Sequence, residues 1–245
     1  MQRLIQLIVC SLVFVAQASF AALDGKAILE KVDKNLTPES YEMYRKLINI
    51  EPDGSRKEFV LYTAKQGRDS MVGLFLEPPT DAGRTTLRLG DNMWLYIPDV
   101  GRPIRITSLQ SVVGGIFNNA DLMRLDFSTE YEVTAVEEQG KTYRLSLKAR
   151  TDAVAYDRLI MVVDRASLLP LTIEAYAASG LLIKTLRYRD VKDFGDGIRR
   201  PAVLETDSPL YRGYKAVMLF AKIKRRNFRD EAFTLNYMPR IKELR

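Results

Sequence analysis

From residue 41 to residue 225 turn signals cut the chain into short segments, and in most of them apolar and polar residues alternate. A period of two suits strands and is incompatible with helices, so it restricts the fold more than any other feature. YEMYRKLINI (41–50) and RKEFVLYTAK (56–65) flank Pro52, Asp53 and Gly54, which turn the chain back as a hairpin. DSMVGLFLE (69–77) follows Gln66-Gly67-Arg68, and Pro78-Pro79 then ends the ladder because proline lacks the amide donor. TTLRL (85–89) and NMWLYI (92–97) are joined tightly through Gly90-Asp91. Alternation returns in EYEVTAV (130–136), KTYRLSLKAR (141–150), YDRLIMVVD (156–164), LPLTIEAYA (169–177), LLIKTLRYRDV (181–191), RRPAVLETD (199–207) and GYKAVMLFAKIKR (213–225). Such spacing predicts a long antiparallel meander of about a dozen strands, too many for a small closed barrel and suited to one wide, curved sheet.

Two stretches depart from the pattern. DGKAILEKVDKNL (24–36) carries Ile28, Val32 and Leu36 at helical spacing behind Asp24, a good N-cap, and predicts a short amphipathic helix. TSLQSVVGGIFNNADLMRLDF (107–127) is apolar along one side but holds Gly114-Gly115 and Asn118-Asn119, which weaken it as one rigid helix. It reads as a broken helical or loop insert in mid-meander. The helical pieces either plug the sheet's concave face as a filled core or cover it as a lid over a partly empty pocket, and patterning does not choose between the two. DNMWLYIPDVGRPIRI (91–106) sharpens the question. Met93, Leu95 and Ile97 point one way, Trp94 and Tyr96 the other, so both faces of one strand are apolar and each needs a partner.

The chain opens with Arg3, an apolar run from Leu4 to Val15 and the small-x-small Ser19-Phe20-Ala21, the pattern of a signal peptide cut after residue 21. Cleavage would leave residues 22–245 as a single domain. It would also remove Cys10, the sole cysteine, which comes too early in the apolar run to be a lipidated residue. An exported protein without disulfides suits the periplasm of a Gram-negative bacterium. The chain has no histidine, which excludes serine–histidine and cysteine–histidine catalysis and histidine-ligated metals. No catalytic residue, metal site or cofactor is expected, and the protein is not expected to be an enzyme. The formal charge of +6 on an exported chain points to anionic headgroups or an acidic protein rather than to nucleic acid. The basic residues gather in KIKRRNFR (222–229), where Lys222, Lys224 and Arg226 share a strand face opposite Ala221 and Ile223, and in a smaller spot at Arg102 and Arg105. These are the expected docking residues for headgroups or a partner, in transient contact with a membrane surface.

RTTLRLGDNMWLYIPDVGRPIRIT (84–107) and SLQSVVGGIFNNADLMRLDF (108–127), within the order signal, helix, meander, insert, meander, resemble the outer-membrane lipoprotein-sorting (LolA-like) family, in its longer branch found beside RND/MMPL-type transporters. The resemblance extends over nearly all of residues 22–245. It implies a mainly β fold with a helical lid (α+β), an antiparallel, unclosed β-half-barrel of the LolA/LolB-like type. It further implies a periplasmic carrier or chaperone that holds the acyl chains of lipids or lipoproteins in an apolar cavity, for outer-membrane sorting or as accessory to an inner-membrane exporter of the RND/MMPL or ABC type. A regulatory adaptor that senses lipid or lipoprotein on behalf of a membrane protein is the other reading. The family's lipoprotein-sorting chaperone latches its lid with an arginine, for which the sequence alone offers no single match. The residues expected at the cavity and lid are Phe59, Leu61, Trp94, Tyr96, Val112, Val113, Ile116, Phe117, Leu122 and Met123.

Overall fold

A computed structural model describes residues 24–123 and 126–245; the expected signal peptide and Cys10 lie outside them. The chain begins with helix α1 (Gly25–Leu36), capped by the Asp24 side chain, which accepts the Ala27 N–H at 3.0 Å. Six strands follow: β1 (Tyr41–Ile50), β2 (Arg56–Gln66), β3 (Ser70–Glu77), β4 (Thr85–Leu89), β5 (Asn92–Tyr96) and β6 (Pro103–Ile106). An insert then leads through two short helices, α2 (Asn119–Met123) and α3 (Phe127–Glu130). Seven more strands complete the sheet: β7 (Tyr131–Gln139), β8 (Thr142–Ala149), β9 (Arg158–Asp164), β10 (Pro170–Tyr176), β11 (Leu182–Asp193), β12 (Arg199–Asp207) and β13 (Lys215–Arg225). The C-terminus is a pair of 3-10 segments, Asp230–Phe233 and Leu235–Leu244. Sequence patterning missed β6, whose four residues include a proline, and the C-terminal segments, which have no regular period.

All thirteen strands lie in one antiparallel sheet, ordered β6-β5-β4-β3-β2-β1-β13-β12-β11-β10-β9-β8-β7. The sheet is unclosed, with β6 and β7 at its edges. That order explains the insert. The chain starts in the middle of the sheet, meanders out to the β6 edge, and must resume at the β7 edge. Residues 107–130 make that journey, so they have to cross a face of the sheet.

The face they cross is the concave one. Leu29, Val32 and Leu36 of α1, with Val112, Ile116, Phe117, Leu122 and Met123 of the insert, join inward residues of the strands in one large core. Gly25 sits so close to β7 that an added Cβ would lie 2.6 Å from a Val133 methyl and 2.5 Å from one of Val136. The convex face has its own smaller core. There Ala232, Phe233, Met238 and Ile241 of the C-terminal segments cover Tyr62, Ala64, Val72, Leu74 and Leu87. Strand β5 lies between the two cores. Met93 faces the concave core, whereas Trp94 and Tyr96 pack on the convex side against the C-terminal segments. That placement overturns the expectation that Trp94 and Tyr96 line the cavity, and it identifies what covers the strand's second face.

A candidate ligand-binding face under a latched cover

The insert is a cover built from a tight loop and a short helix. Val112 N–H donates to the Phe117 carbonyl at 2.8 Å and Gly115 N–H to the Val112 carbonyl at 3.0 Å. An isolated bridge pairs Ser111 with Asn118. Between them Val113 takes a left-handed φ of 47°, strained for a β-branched residue, next to Gly114 at 76°. Gly115 presses on β1 where an added Cβ would meet the Asn49 amide at 2.2 Å.

What fastens this cover is polar. Five cations are buried among the described residues, and all five stand on strands: Arg45 (β1), Lys65 (β2), Arg88 (β4), Lys184 (β11) and Arg200 (β12). The Arg45 guanidinium donates to the Leu122 carbonyl at 3.0 Å and to Thr63 Oγ1 at 2.7 Å. Arg88 donates to the Met123 carbonyl at 3.1 Å and pairs with Glu130 at 3.2 Å. Lys65 meets Asp126 at 3.2 Å. Lys184 reaches the Ile116 carbonyl at 2.5 Å and the Asp121 carboxylate at 2.8 Å. Around that carboxylate the Tyr156 hydroxyl donates at 2.7 Å and the Asn118 N–H at 2.9 Å, while the Asn118 side-chain amide donates to Tyr156 Oη at 2.9 Å. Arg200 holds the other covering element, donating to the Leu36 carbonyl at the end of α1 at 2.7 Å and stacking 4.2 Å from the Phe220 ring centre.

The charges are sorted by element. The buried carboxylates Asp33, Asp121 and Glu130, and the partly buried Asp126, all belong to the covering segments and not to the sheet. Arg45 and Arg200 meet no carboxylate among the described residues. Burial holds the Arg45 guanidinium down at about 10, with Tyr41 opposing that shift and Arg200 adding to it. Burial lowers Arg200 as well. The Tyr41 phenol is pushed up to about 12 by burial despite the pull of both arginines, and its hydroxyl has no hydrogen-bond partner among the described residues. Asp33 joins the two covers, its oxygens accepting the Phe127 and Ser128 N–H groups at 3.0 and 2.7 Å; burial raises it to about 7.

The enclosed space beneath the cover is small, about 30 Å3, lined by Ala120, Asp121, Tyr156, Leu159, Ile173 and Leu204 among others. It has room for roughly one water molecule. On the other side of the insert an open cleft of about 260 Å3 runs between Val112, Val113 and Asn119 and strands β3 to β5. Consecutive residues of α2 thus line different spaces, Asn119 the cleft and Ala120 the enclosed cavity, so α2 is the partition.

Of the residues expected at the cavity and lid, Phe59, Leu61, Val112, Ile116, Phe117, Leu122 and Met123 lie buried in the concave core and Val113 packs half-buried against it. Trp94 and Tyr96 lie on the opposite face. Of the expected docking residues, Arg102, Arg105, Lys222, Lys224 and Arg226 are all exposed. Arg105 is committed to Asn92 and to the Trp94 ring, and Arg226 to Glu42 and the Leu244 carbonyl. Lys222 takes a left-handed φ of 50° in a bulge where β13 shifts register against β1. Ala221, opposite Tyr44, therefore faces outward with the lysines and not inward with Ile223, contrary to the strand-face expectation. The five buried cations went unnoticed in the sequence although their phase was visible: Arg45 alternates with Tyr41, Met43 and Leu47, and Lys65 with Phe59 and Leu61.

An unclosed antiparallel sheet with a cover latched across its concave face defines a LolA-like half-barrel. Solved structures agree. A LolA superfamily protein from Nitrosomonas europaea is 26% identical, with a TM-score of 0.79 over 86% of this chain and 98% of that one. An outer membrane lipoprotein-sorting protein domain from Vibrio parahaemolyticus matches at 18% identity and a TM-score of 0.73, covering 88% and 98% of the two chains. A DUF1329 family protein from Desulfovibrio piger matches at 19% and 0.75, covering 87% and 97%. No curated protein sequence matches. Residues 67–240 match the model of a family described as uncharacterized protein-like, and the chain belongs to that family.

Proposed function

We propose that the chain is a periplasmic carrier that takes acyl chains of lipids or lipoproteins onto its concave face by lifting its cover, serving outer-membrane sorting or an inner-membrane exporter. The observation that carries this reading is the manner of closure. A cover meant to stay shut is held most cheaply by apolar packing, because buried charges lose more in hydration than their contacts return. Here the cover packs apolar side chains on the concave face and is fastened in addition by cations to its own carbonyls and carboxylates. Bonds of that kind are exchangeable for other polar partners, and a strained Val113 beside Gly114 favours release. Arg45, gripping the Leu122 carbonyl, is suited to the part that a lid-latching arginine plays in the lipoprotein-sorting chaperone of the LolA-like family.

The test is recovery of the mature protein from a Gram-negative periplasm without detergent, followed by mass spectrometry of co-purifying lipid and transfer of labelled lipid between two vesicle populations. Stoichiometric lipid together with accelerated transfer is expected. Absence of both refutes the carrier; lipid binding without net transfer favours the sensing adaptor.

A further inference from the structure

The concave face is charged in a way that an acyl-chain binder does not need. Among the described residues every buried cation is on the sheet and every buried carboxylate is on a covering segment. Lifting the insert therefore does more than uncover a greasy surface. It takes Asp126 from Lys65, Glu130 from Arg88 and Asp121 from Lys184, along with the Leu122 and Met123 carbonyls that Arg45 and Arg88 hold. A neutral hydrocarbon settling in the insert's place would bury Lys65 and Lys184 without these carboxylates and Arg45 without the Leu122 carbonyl, a loss that an apolar interior tolerates poorly. Whatever replaces the cover must bring negative charge.

The centre of that demand is at Arg45 and Arg200. Both are fully buried, and neither has a carboxylate even when the cover is shut. Arg45 stands opposite Phe220 in the β1–β13 ladder, and Arg200 stacks on the same ring, so one aromatic side chain joins the two. Arg45 Nε and the Tyr41 hydroxyl beside it are buried donors with no acceptor among the described residues. From Arg200, strand β12 leads to Leu204, which lines the enclosed cavity together with Leu159, Ile173 and Leu186. Donors therefore stand at one end and an apolar lining at the other.

We propose that the cargo is an amphiphile with an anionic head, a carboxylate or a phosphate, accepted by Arg45, Arg200 and Tyr41, with its tail along β9 to β12. This rests on the carrier reading and narrows it, since it favours a free anionic lipid over the neutral acyl groups of a lipoprotein.

Delipidated mature protein loaded with Nile red, a neutral probe, tests it by displacement with hexadecanoate, hexadecyl phosphate, hexadecanol and inorganic phosphate. The two anionic amphiphiles are expected to displace the dye at concentrations about tenfold or more below hexadecanol, as charge-assisted hydrogen bonds predict. Inorganic phosphate alone should not displace it. In R200Q the ratio of hexadecanol to hexadecanoate falls toward one, while R200K keeps the preference; because each ratio is read within one preparation, partial loss of folding does not imitate the effect. Hexadecanol competing as well as hexadecanoate overturns the anionic head and leaves the carrier standing. Displacement by inorganic phosphate shows an anion site independent of a tail and overturns the amphiphile. No dye binding and no displacement overturns both readings.

Discussion

Replacing Asp121 with alanine tests whether the insert is a separable cover. The carboxylate is buried with the Lys184 ammonium at 2.8 Å, the Tyr156 hydroxyl at 2.7 Å and the Asn118 N–H at 2.9 Å. Removing it leaves Lys184 buried with only the Ile116 carbonyl and the Tyr156 ring for company. Stripping one member of a buried ion pair costs about 3–5 kcal/mol. If the insert opens on its own, that penalty is relieved by opening, because Lys184 then regains water. The opening equilibrium should shift by about 10²-fold to several thousandfold. Hydrogen exchange reads it at the Val112, Gly115, Asn119 and Ala120 amides, whose acceptors all lie within the insert. These should exchange faster by that factor while the β1–β2 ladder amides keep wild-type rates. The double variant D121A/K184M, which removes both charges, should recover most of the protection. Equal acceleration in insert and sheet refutes the reasoning, since the insert would then open only when the whole protein unfolds.

Three further outcomes are expected. Asp33 titrates at 3.8 in its ordinary state and at about 7 in the fold, so the folded protein holds the extra proton between those values; its contribution to stability is complete below pH 3.8 and is lost as pH rises through 7. Urea midpoints should accordingly fall from pH 5 to pH 8, and D33N should flatten that slope; an unchanged slope contradicts the assignment. Met238 is buried in the convex-face core against which Trp94 packs, so M238A should cost about 2–5 kcal/mol and shift the tryptophan emission to the red, whereas ligand binding on the concave face should leave the emission in place. Among the described residues Lys222 and Lys224, like Arg225, are exposed cations of the C-terminal cluster without an ion pair, so K222Q/K224Q should weaken binding to phosphatidylglycerol vesicles by about 1 kcal/mol per residue at low salt. Sedimentation with equal vesicle binding before and after the change would make them merely solubilising.

The meander was legible because each hairpin announces itself locally, in Pro52-Asp53-Gly54, in Gly90-Asp91, in Gln139-Gly140. The covering of β5 was not. Trp94 and Tyr96 are shielded by residues 232–244, some 140 positions away and folded as 3-10 turns around Pro239, and no period in that stretch advertises a partner. The route of the insert was hidden for a different reason: it follows from β6 and β7 being the two edges, and strand order is a property of the whole sheet. The latches fall between these cases. Arg45, Lys184 and Arg200 occupy the inward phase of their strands, flanked at two-residue spacing by Met43 and Leu47, Leu186 and Ala202, and Lys65 follows Phe59, Leu61 and Thr63 in the same phase. A cation in that phase conflicts with the apolar pattern, and such a conflict is itself a signal of function.

Exchange of cover for cargo is close to balanced in its apolar part. The insert buries Val112, Ile116, Phe117, Leu122 and Met123 on the concave face. At about 1.5–3 kcal/mol per side chain they hold the cover shut with roughly 8–15 kcal/mol of apolar burial. An acyl chain of about sixteen carbons, at ~0.8 kcal/mol per methylene, returns roughly 12 kcal/mol. The hydrophobic terms therefore nearly cancel, as a carrier that must both load and unload requires. The sign of the exchange is left to polar groups: what the cover offers Arg45, Arg88, Lys184 and Lys65 against what the cargo offers them. A partner protein that supplies acceptors of its own, or holds the cover's carboxylates away, would tip a balance of this kind without touching the apolar surface.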